Sequence, residues 1–144
     1  MNVPLHQFNE EQRIWYGYLV ASATKADGEV DPAEIEFLVK TLHFLNSEQK
    51  AKIKNYLKTP KIHPGLSKIP SGLNKEHLAI IFTELIWIIV SDGKLIKSEV
   101  SFIKTIAGWF GFSEAYYKRT LQWGEQMLKA EKYRRALVKK AAQE

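Results

Sequence analysis

The stretch ADGEVDPAE, residues 26–34, is echoed 65 positions later by SDGKLIKSE, residues 91–99. Each stretch follows an apolar segment and places an Asp-Gly pair ahead of a Glu. Asp-Gly after a helix is a stop signal, because glycine adopts a positive φ and lets the chain reverse. Recurrence at a fixed interval indicates an internal repeat. The sequence therefore predicts two similar halves, each with a helix, a turn and a second helix.

The residues after each motif support this prediction, because apolar side chains recur there at helical spacing. The segments before the motifs are also helical in pattern, and we find no alternating stretch that would indicate a strand. The most apolar segment, residues 75–90, predicts a central helix. We predict an all-α bundle of six to seven helices in two pseudo-symmetric repeats. The residues predicted to be buried at offsets i, i+3, i+7 and i+10 are Ile35, Leu38, Leu42 and Leu45, then Val100, Ile103, Ala107 and Phe110.

A chain of 144 residues is predicted to form one domain with its own core. Repeat one covers about 10–57, a linker rich in Pro and Gly covers 58–74, and repeat two covers about 75–129. A basic helical extension, 130–144, completes the chain. Asp31, with Pro at the next position, and Asn74 are the predicted N-caps that open two of the helices.

The composition restricts both the chemistry and the location of the protein. The chain has no cysteine, which removes disulfides, thiolate catalysis and thiolate zinc sites. The polar N-terminus does not resemble a secretory signal, and the apolar run 78–90 is too short to span a bilayer. A cytoplasmic location, with a peripheral membrane contact as the alternative, is expected. The net charge is +5, with Lys and Arg concentrated in the linker and the C-terminal third.

The repeated motif has a structural and a metal-binding interpretation. In the first, Gly28 and Gly93 reverse the chain and Asp31 forms a capping box with Glu34. In the second copy Ile96 replaces the capping residue. In the metal-binding interpretation, the motif matches the later half of an EF-hand loop, but the positions of the earlier ligands hold Ala, Lys, Ile and Val. A working EF-hand is therefore not predicted.

A composite cation site is the remaining metal hypothesis. Two pseudo-symmetric halves would bring Asp27, Glu34, Asp92 and Glu99 towards one end of the bundle. Four carboxylates repel each other unless a cation joins them. A divalent cation is the one cofactor that this arrangement would bind.

The paired sequences KADGEVDPAEIEFL, residues 25–38, and VSDGKLIKSEVSFI, residues 90–103, resemble the TerB-like domain named from tellurite-resistance operons. The resemblance covers most of the chain, roughly Glu10 to Lys129. It implies a compact, internally pseudo-symmetric helical bundle with a role in stress response and in membrane-associated assemblies. It also implies metal binding by the four acidic residues of the two motifs. The function expected on this basis is a non-catalytic interaction module that binds a divalent cation.

The C-terminal sequence offers an alternative function. Arg134, Arg135, Lys139 and Lys140 are predicted to bind a protein partner or an anionic membrane surface, with the Asp-Gly motifs purely structural. The alternative without a binding function is that this segment is a solvent-exposed helix end. The few apolar residues argue against strong membrane anchoring. No nucleic-acid motif is present, so nucleic acid is not an expected partner.

An enzyme is not predicted. The four histidines form no i, i+3 or i, i+4 pair, and no nucleophile elbow or phosphate-binding loop is present. Glu84 lies inside the most apolar segment, where it either faces a solvent gap or pairs with a Lys or Arg. The functional hypothesis is that Glu84 is a reactive or ligand-binding carboxylate with a raised pKa. A small enzyme with an unrecognised site is thus the last alternative, and Glu84 is the residue that would test it.

Overall fold

The computed structural model describes residues 3–28, 30–91 and 95–144. These residues form an all-α bundle and contain no strand, which confirms the predicted fold class. A short 3-10 turn, Leu5–Gln7, precedes the helices. The helices are α1 Glu10–Thr24, α2 Pro32–Thr41, α3 Ser47–Leu57, α4 Lys75–Val90, α5 Lys97–Phe110 and α6 Glu114–Ala142.

The helix starts follow the capping signals of the sequence. Asp31 Oδ1 accepts the Glu34 N–H at 2.9 Å, and Asn74 Oδ1 accepts the His77 N–H at 2.8 Å. Both predicted N-caps are therefore confirmed. Asn9, Asn46 and Ser113 cap α1, α3 and α6 in the same way.

The core is built around α4, which packs against α1, α5 and α6. This arrangement confirms the prediction of a central helix. The reason is that apolar residues surround α4 on most sides, so the helix is stable only when other helices cover it. Its fully buried residues are Ile81, Phe82, Leu85, Ile86 and Ile89.

The repeat pattern correctly identified buried positions in both halves. Seven of the eight predicted residues are buried, and Val100 is half-buried. The helical prediction was too long in the first half, since α2 ends at Thr41 while Leu42 and Leu45 continue inward from the turn that follows. The two halves share the helix order. Pseudo-symmetry between them stays a prediction.

The linker, residues 58–74, contains no helix and packs against α1. Trp15 donates its indole N–H to the Leu66 carbonyl at 3.0 Å, and Leu66 is buried. The Lys25 ammonium donates to the carbonyls of Tyr56, Thr59 and Lys61 at 2.8 to 3.1 Å. These bonds fasten the linker to the first half of α1 and to the residue that ends it.

Helix α6 packs closely on α4 and then leaves the bundle. At Gly124 an added Cβ would lie 2.7 Å from Ile86 Cγ2, so glycine is what allows the two helices to approach. Gly124 is also the last buried residue of the chain. Beyond it, α6 continues for 18 more residues to Ala142.

Candidate functional site

The two Asp-Gly motifs have different surroundings. Gly28 has a φ of 93°, as the turn prediction requires, and the neighbouring Asp27 is exposed. The second pair, Asp92 and Gly93, lies outside the described residues. The structure therefore describes three of the four residues that were predicted to bind a metal: Asp27, Glu34 and Glu99.

Glu34 lies in an acidic environment at the start of α2. Partial burial, a hydrogen bond with the Asp31 side chain, and repulsion from Asp31 and Asp27 together raise the pKa of Glu34. Hydrogen bonding to the Glu34 backbone lowers the pKa of Asp31. The turn and the helix start thus bring three carboxylates of the first half into one electrostatic group.

Glu99 has a structural position in the second half. It is buried, with 3% of its surface exposed, and its Oε1 accepts the Ile96 N–H at 3.1 Å. Ile96 has no polar side chain that could cap α5, but Glu99 reaches back to the backbone N–H of Ile96 and caps the helix.

A four-carboxylate metal site receives no support from these positions. Within residues 3–28, 30–91 and 95–144, no group of three or more His, Asp or Glu side chains is arranged to hold a metal ion. Asp92 is not among these described residues. Cation binding by Asp27, Glu34, Asp92 and Glu99 stays a prediction.

A groove of about 930 Å³ lies beside α2. It arises because α2 packs mainly against α3, which leaves its inner face separated from α1 and from the C-terminal half of α4. Segments before α1 and after α2 close its ends. We call this feature the α2 groove. Its apolar walls include Tyr16, Val20, Phe37, Phe44, Trp87 and Ile88.

Glu84 faces the α2 groove from the middle of α4. Its Oε2 atom is buried and has no hydrogen-bond partner among the described residues. Burial raises the pKa of Glu84, because the carboxylate has lost hydration without gaining a donor. Pairing with a Lys or Arg, one of the two outcomes expected from the sequence, is not observed in the described part of the chain. The carboxylate instead faces a gap.

The neighbourhood of Glu84 is aromatic. The rings of Tyr16 and Phe44 lie 5.8 Å apart at the groove wall. The pKa of Tyr16 is raised, mainly by burial and also by the charge of Glu84. The negative charge of Glu84 thus disfavours ionisation of the Tyr16 hydroxyl. Glu84 can be recognised from the sequence as an unusual Glu in an apolar segment. The groove cannot be recognised in this way, because it depends on how α2 docks.

The second candidate site is the α6 extension, residues 130–144. Every residue in it is exposed except Glu131, which is half-buried. Its helical part rises about 18 Å clear of the bundle, at 1.5 Å per residue. It contains five basic and two acidic side chains. Most of the net charge of +5 therefore lies on a projecting helix.

One face of the extension is apolar. The spacing i, i+3, i+4, i+7, i+8, i+11 from residue 130 gathers one helical face. Tyr133, Leu137 and Val138 on this face are 68%, 49% and 58% exposed. Lys132, Arg135 and Lys139 lie on the opposite side by the same spacing. The apolar face consists of Ala130, Tyr133, Leu137, Val138 and Ala141, and Arg134 is the one charged residue that lies among them.

The predicted partner-binding residues lie within this extension. Arg134 and Arg135 both bind the Glu131 carboxylate, at 2.7 and 3.3 Å, and remain about two-thirds exposed. Lys139 and Lys140 lie in the last turn of α6, where positive charge is favoured by the helix dipole. Exposed ion pairs of this kind are weak and can be exchanged for a ligand's anionic groups.

Comparison of the chain with protein-family models, with curated proteins and with solved structures finds no match. The resemblance to the TerB-like domain therefore stays a prediction that is carried by the two motifs. In the described part of the chain, no helix combines the length and the apolar character needed to cross a membrane.

Proposed function

We propose that the protein is a non-catalytic docking module whose α6 extension binds an anionic lipid surface. The observation that carries the proposal is the exposure of Tyr133, Leu137 and Val138 on one face of a basic, projecting helix. A contiguous exposed group of apolar side chains rimmed by polar residues marks an interaction site. We propose more broadly that the chain is a TerB-like domain with a role in stress response.

Charge complementarity favours a lipid surface as the partner. An amphipathic helix with basic residues around an apolar face lies in the headgroup region, with its apolar side towards the acyl chains. Each Lys or Arg near an anionic leaflet contributes about 1 kcal/mol of attraction. Tyr133 suits this boundary because its ring is apolar and its hydroxyl is polar. With only three larger apolar side chains on the face, binding is reversible and sensitive to salt.

The extension is already helical before it binds. It continues α6, which is anchored at Tyr117, Thr120 and Gly124, so the cost of helix nucleation has been met within the bundle. The Glu131 ion pairs also support the first turn of the extension. Binding therefore does not need to order a disordered segment, which would otherwise reduce the affinity.

Vesicle co-sedimentation of the full chain tests the proposal. Vesicles of phosphatidylcholine with a phosphatidylglycerol fraction should bind the protein at low salt, and vesicles of phosphatidylcholine alone should not. Arg134→Gln/Lys140→Gln, which removes one basic residue on the apolar face and one at its edge, should weaken binding by about 2 kcal/mol, roughly thirtyfold. Tyr133→Glu/Leu137→Glu should abolish it.

Ile62→Glu provides the matched control, since Ile62 is 52% exposed and belongs to the linker and not to the extension. This variant should bind as the original chain does. Absence of binding to anionic vesicles at low salt would overturn the lipid proposal, and an acidic protein surface would become the partner class to test. Equal binding to both vesicle types would overturn the electrostatic part of the argument.

A further inference from the structure

The α2 groove contains a buried acceptor without a donor. Glu84 Oε2 is enclosed by apolar side chains and receives no hydrogen bond from the described residues. A buried polar atom without a partner has a free-energy cost that a folded protein ordinarily avoids. Such an atom at the wall of an open groove can accept a hydrogen bond from a bound ligand.

The charges around the groove determine which donors are acceptable. Glu84 and Glu34 are the acidic lining side chains, His43 is the one basic side chain, and no Lys or Arg lines the groove in the described residues. An anionic ligand would be repelled by both carboxylates. A neutral apolar ligand would cover Glu84 without supplying a donor, which would worsen its desolvation.

A protonated amine satisfies both requirements. An ammonium group donates charge-assisted hydrogen bonds to a carboxylate, and these are stronger than neutral ones. Tyr16, Phe44 and Trp87 also line the groove, and an ammonium group is attracted to the face of an aromatic ring. The remaining apolar wall then accepts the hydrocarbon part of the same molecule.

We propose that the α2 groove binds an amphipathic primary amine, whose ammonium group donates to Glu84 and whose alkyl or aromatic body packs between α2 and α4. The volume of about 930 Å³ falls within the range of small-molecule pockets. The groove contains no residue of the α6 extension, so this inference is independent of lipid docking. It gives Glu84 a binding role and requires no catalytic step.

Three probes of equal chain length separate the contributions of charge and hydrocarbon. Octylamine, 1-octanol and octanoate are titrated into the full-length protein, and backbone amide shifts of Thr24, Phe37 and Trp87 are followed by NMR. Octylamine should bind saturably and at least tenfold more tightly than 1-octanol. Octanoate should bind more weakly than either.

Two matched variants locate the amine. Glu84→Gln should weaken octylamine binding at least tenfold and leave 1-octanol binding unchanged, which also shows that the groove is intact. Glu76→Gln, an exposed Glu in the first turn of the same helix, should change neither. Equal affinities for octylamine and 1-octanol, no binding of any probe, or full octylamine affinity in Glu84→Gln would each overturn the proposal.

Discussion

The two halves of the molecule carry the same turn motif but use it differently. In the second half, α5 packs on α4, and the motif's Glu99 is buried as a helix cap. In the first half, α2 packs mainly on α3, and the equivalent Glu34 is exposed at the edge of a groove. The difference teaches that a repeated sequence determines local turns and caps, while docking between helices decides whether a space remains beside them.

The largest expected difference concerns the two helical glycines that allow close packing. At Gly124 an added Cβ meets the stiff, β-branched Ile86 at 2.7 Å, whereas at Gly17 it meets the mobile tip of Leu45 at 3.0 Å. Gly124→Ala should therefore lower the free energy of unfolding by about 2 to 3 kcal/mol. Gly17→Ala should be close to neutral, because Leu45 can adjust and Ala favours the helix. Urea unfolding checks both, and equal losses would contradict the packing difference.

The second largest difference in stability is expected between variants of the two motif glutamates, Glu99 and Glu34. Glu99→Ala removes the acceptor of the Ile96 N–H from a buried position and should cost about 1 to 2 kcal/mol. Glu34→Ala should be neutral or slightly stabilising, because Glu34 is exposed and is repelled by Asp27 and Asp31. Glu99→Gln keeps an acceptor and serves as the control, with most of the stability retained. A larger loss at Glu34 than at Glu99 would reverse the assignment of roles.

The pH dependence of stability should show the cost of leaving Glu84 without a donor. The pKa of Glu84 is raised in the folded state, so its contribution is fully present below the unfolded pKa and is lost as pH rises through the folded pKa. Glu84→Gln should therefore stabilise the protein by about 1 kcal/mol at pH 8 and by almost nothing at pH 4. Urea unfolding at the two pH values measures this. A destabilised variant at pH 8 would mean that the carboxylate has a donor in solution.

The smallest expected effect on stability comes from removing residues 130–144. The extension buries no side chain fully, so its deletion should change the free energy of unfolding by less than about 0.5 kcal/mol. Vesicle binding should nevertheless disappear. A stability loss well above this limit, measured by thermal or urea unfolding, would indicate that the extension packs on the bundle.

Much of the fold could be predicted from the sequence, because the signals involved are local. The N-caps at Asp31 and Asn74, the positive φ of Gly28 and the buried positions of the repeat depend on residues a few positions apart. The end of α2 was predicted too late, since Leu42 and Leu45 keep the helical spacing after the helix has stopped. Their burial comes from the turn, which periodicity cannot distinguish from a helix.

The candidate sites were less predictable because they depend on how elements dock. The basic residues of the extension were identified from composition, but the apolar face of Tyr133, Leu137 and Val138 became apparent only once the helix was seen to project. Glu84 was recognisable as a Glu in an apolar segment. Whether it pairs or faces a gap depends on the distance between α2 and α4, which leaves no pattern along the chain.

The most direct measurement compares Phe37 with Phe102, which occupy equivalent positions after the two motifs. Phe37 is 74% exposed at the groove, whereas Phe102 is half-buried against the core. Urea unfolding of Phe37→Asp and Phe102→Asp measures the difference under identical conditions. The open groove predicts a change below about 0.5 kcal/mol for Phe37→Asp and a loss above about 2 kcal/mol for Phe102→Asp. Equal losses would mean that α2 closes onto α4 in solution and that the groove does not exist there.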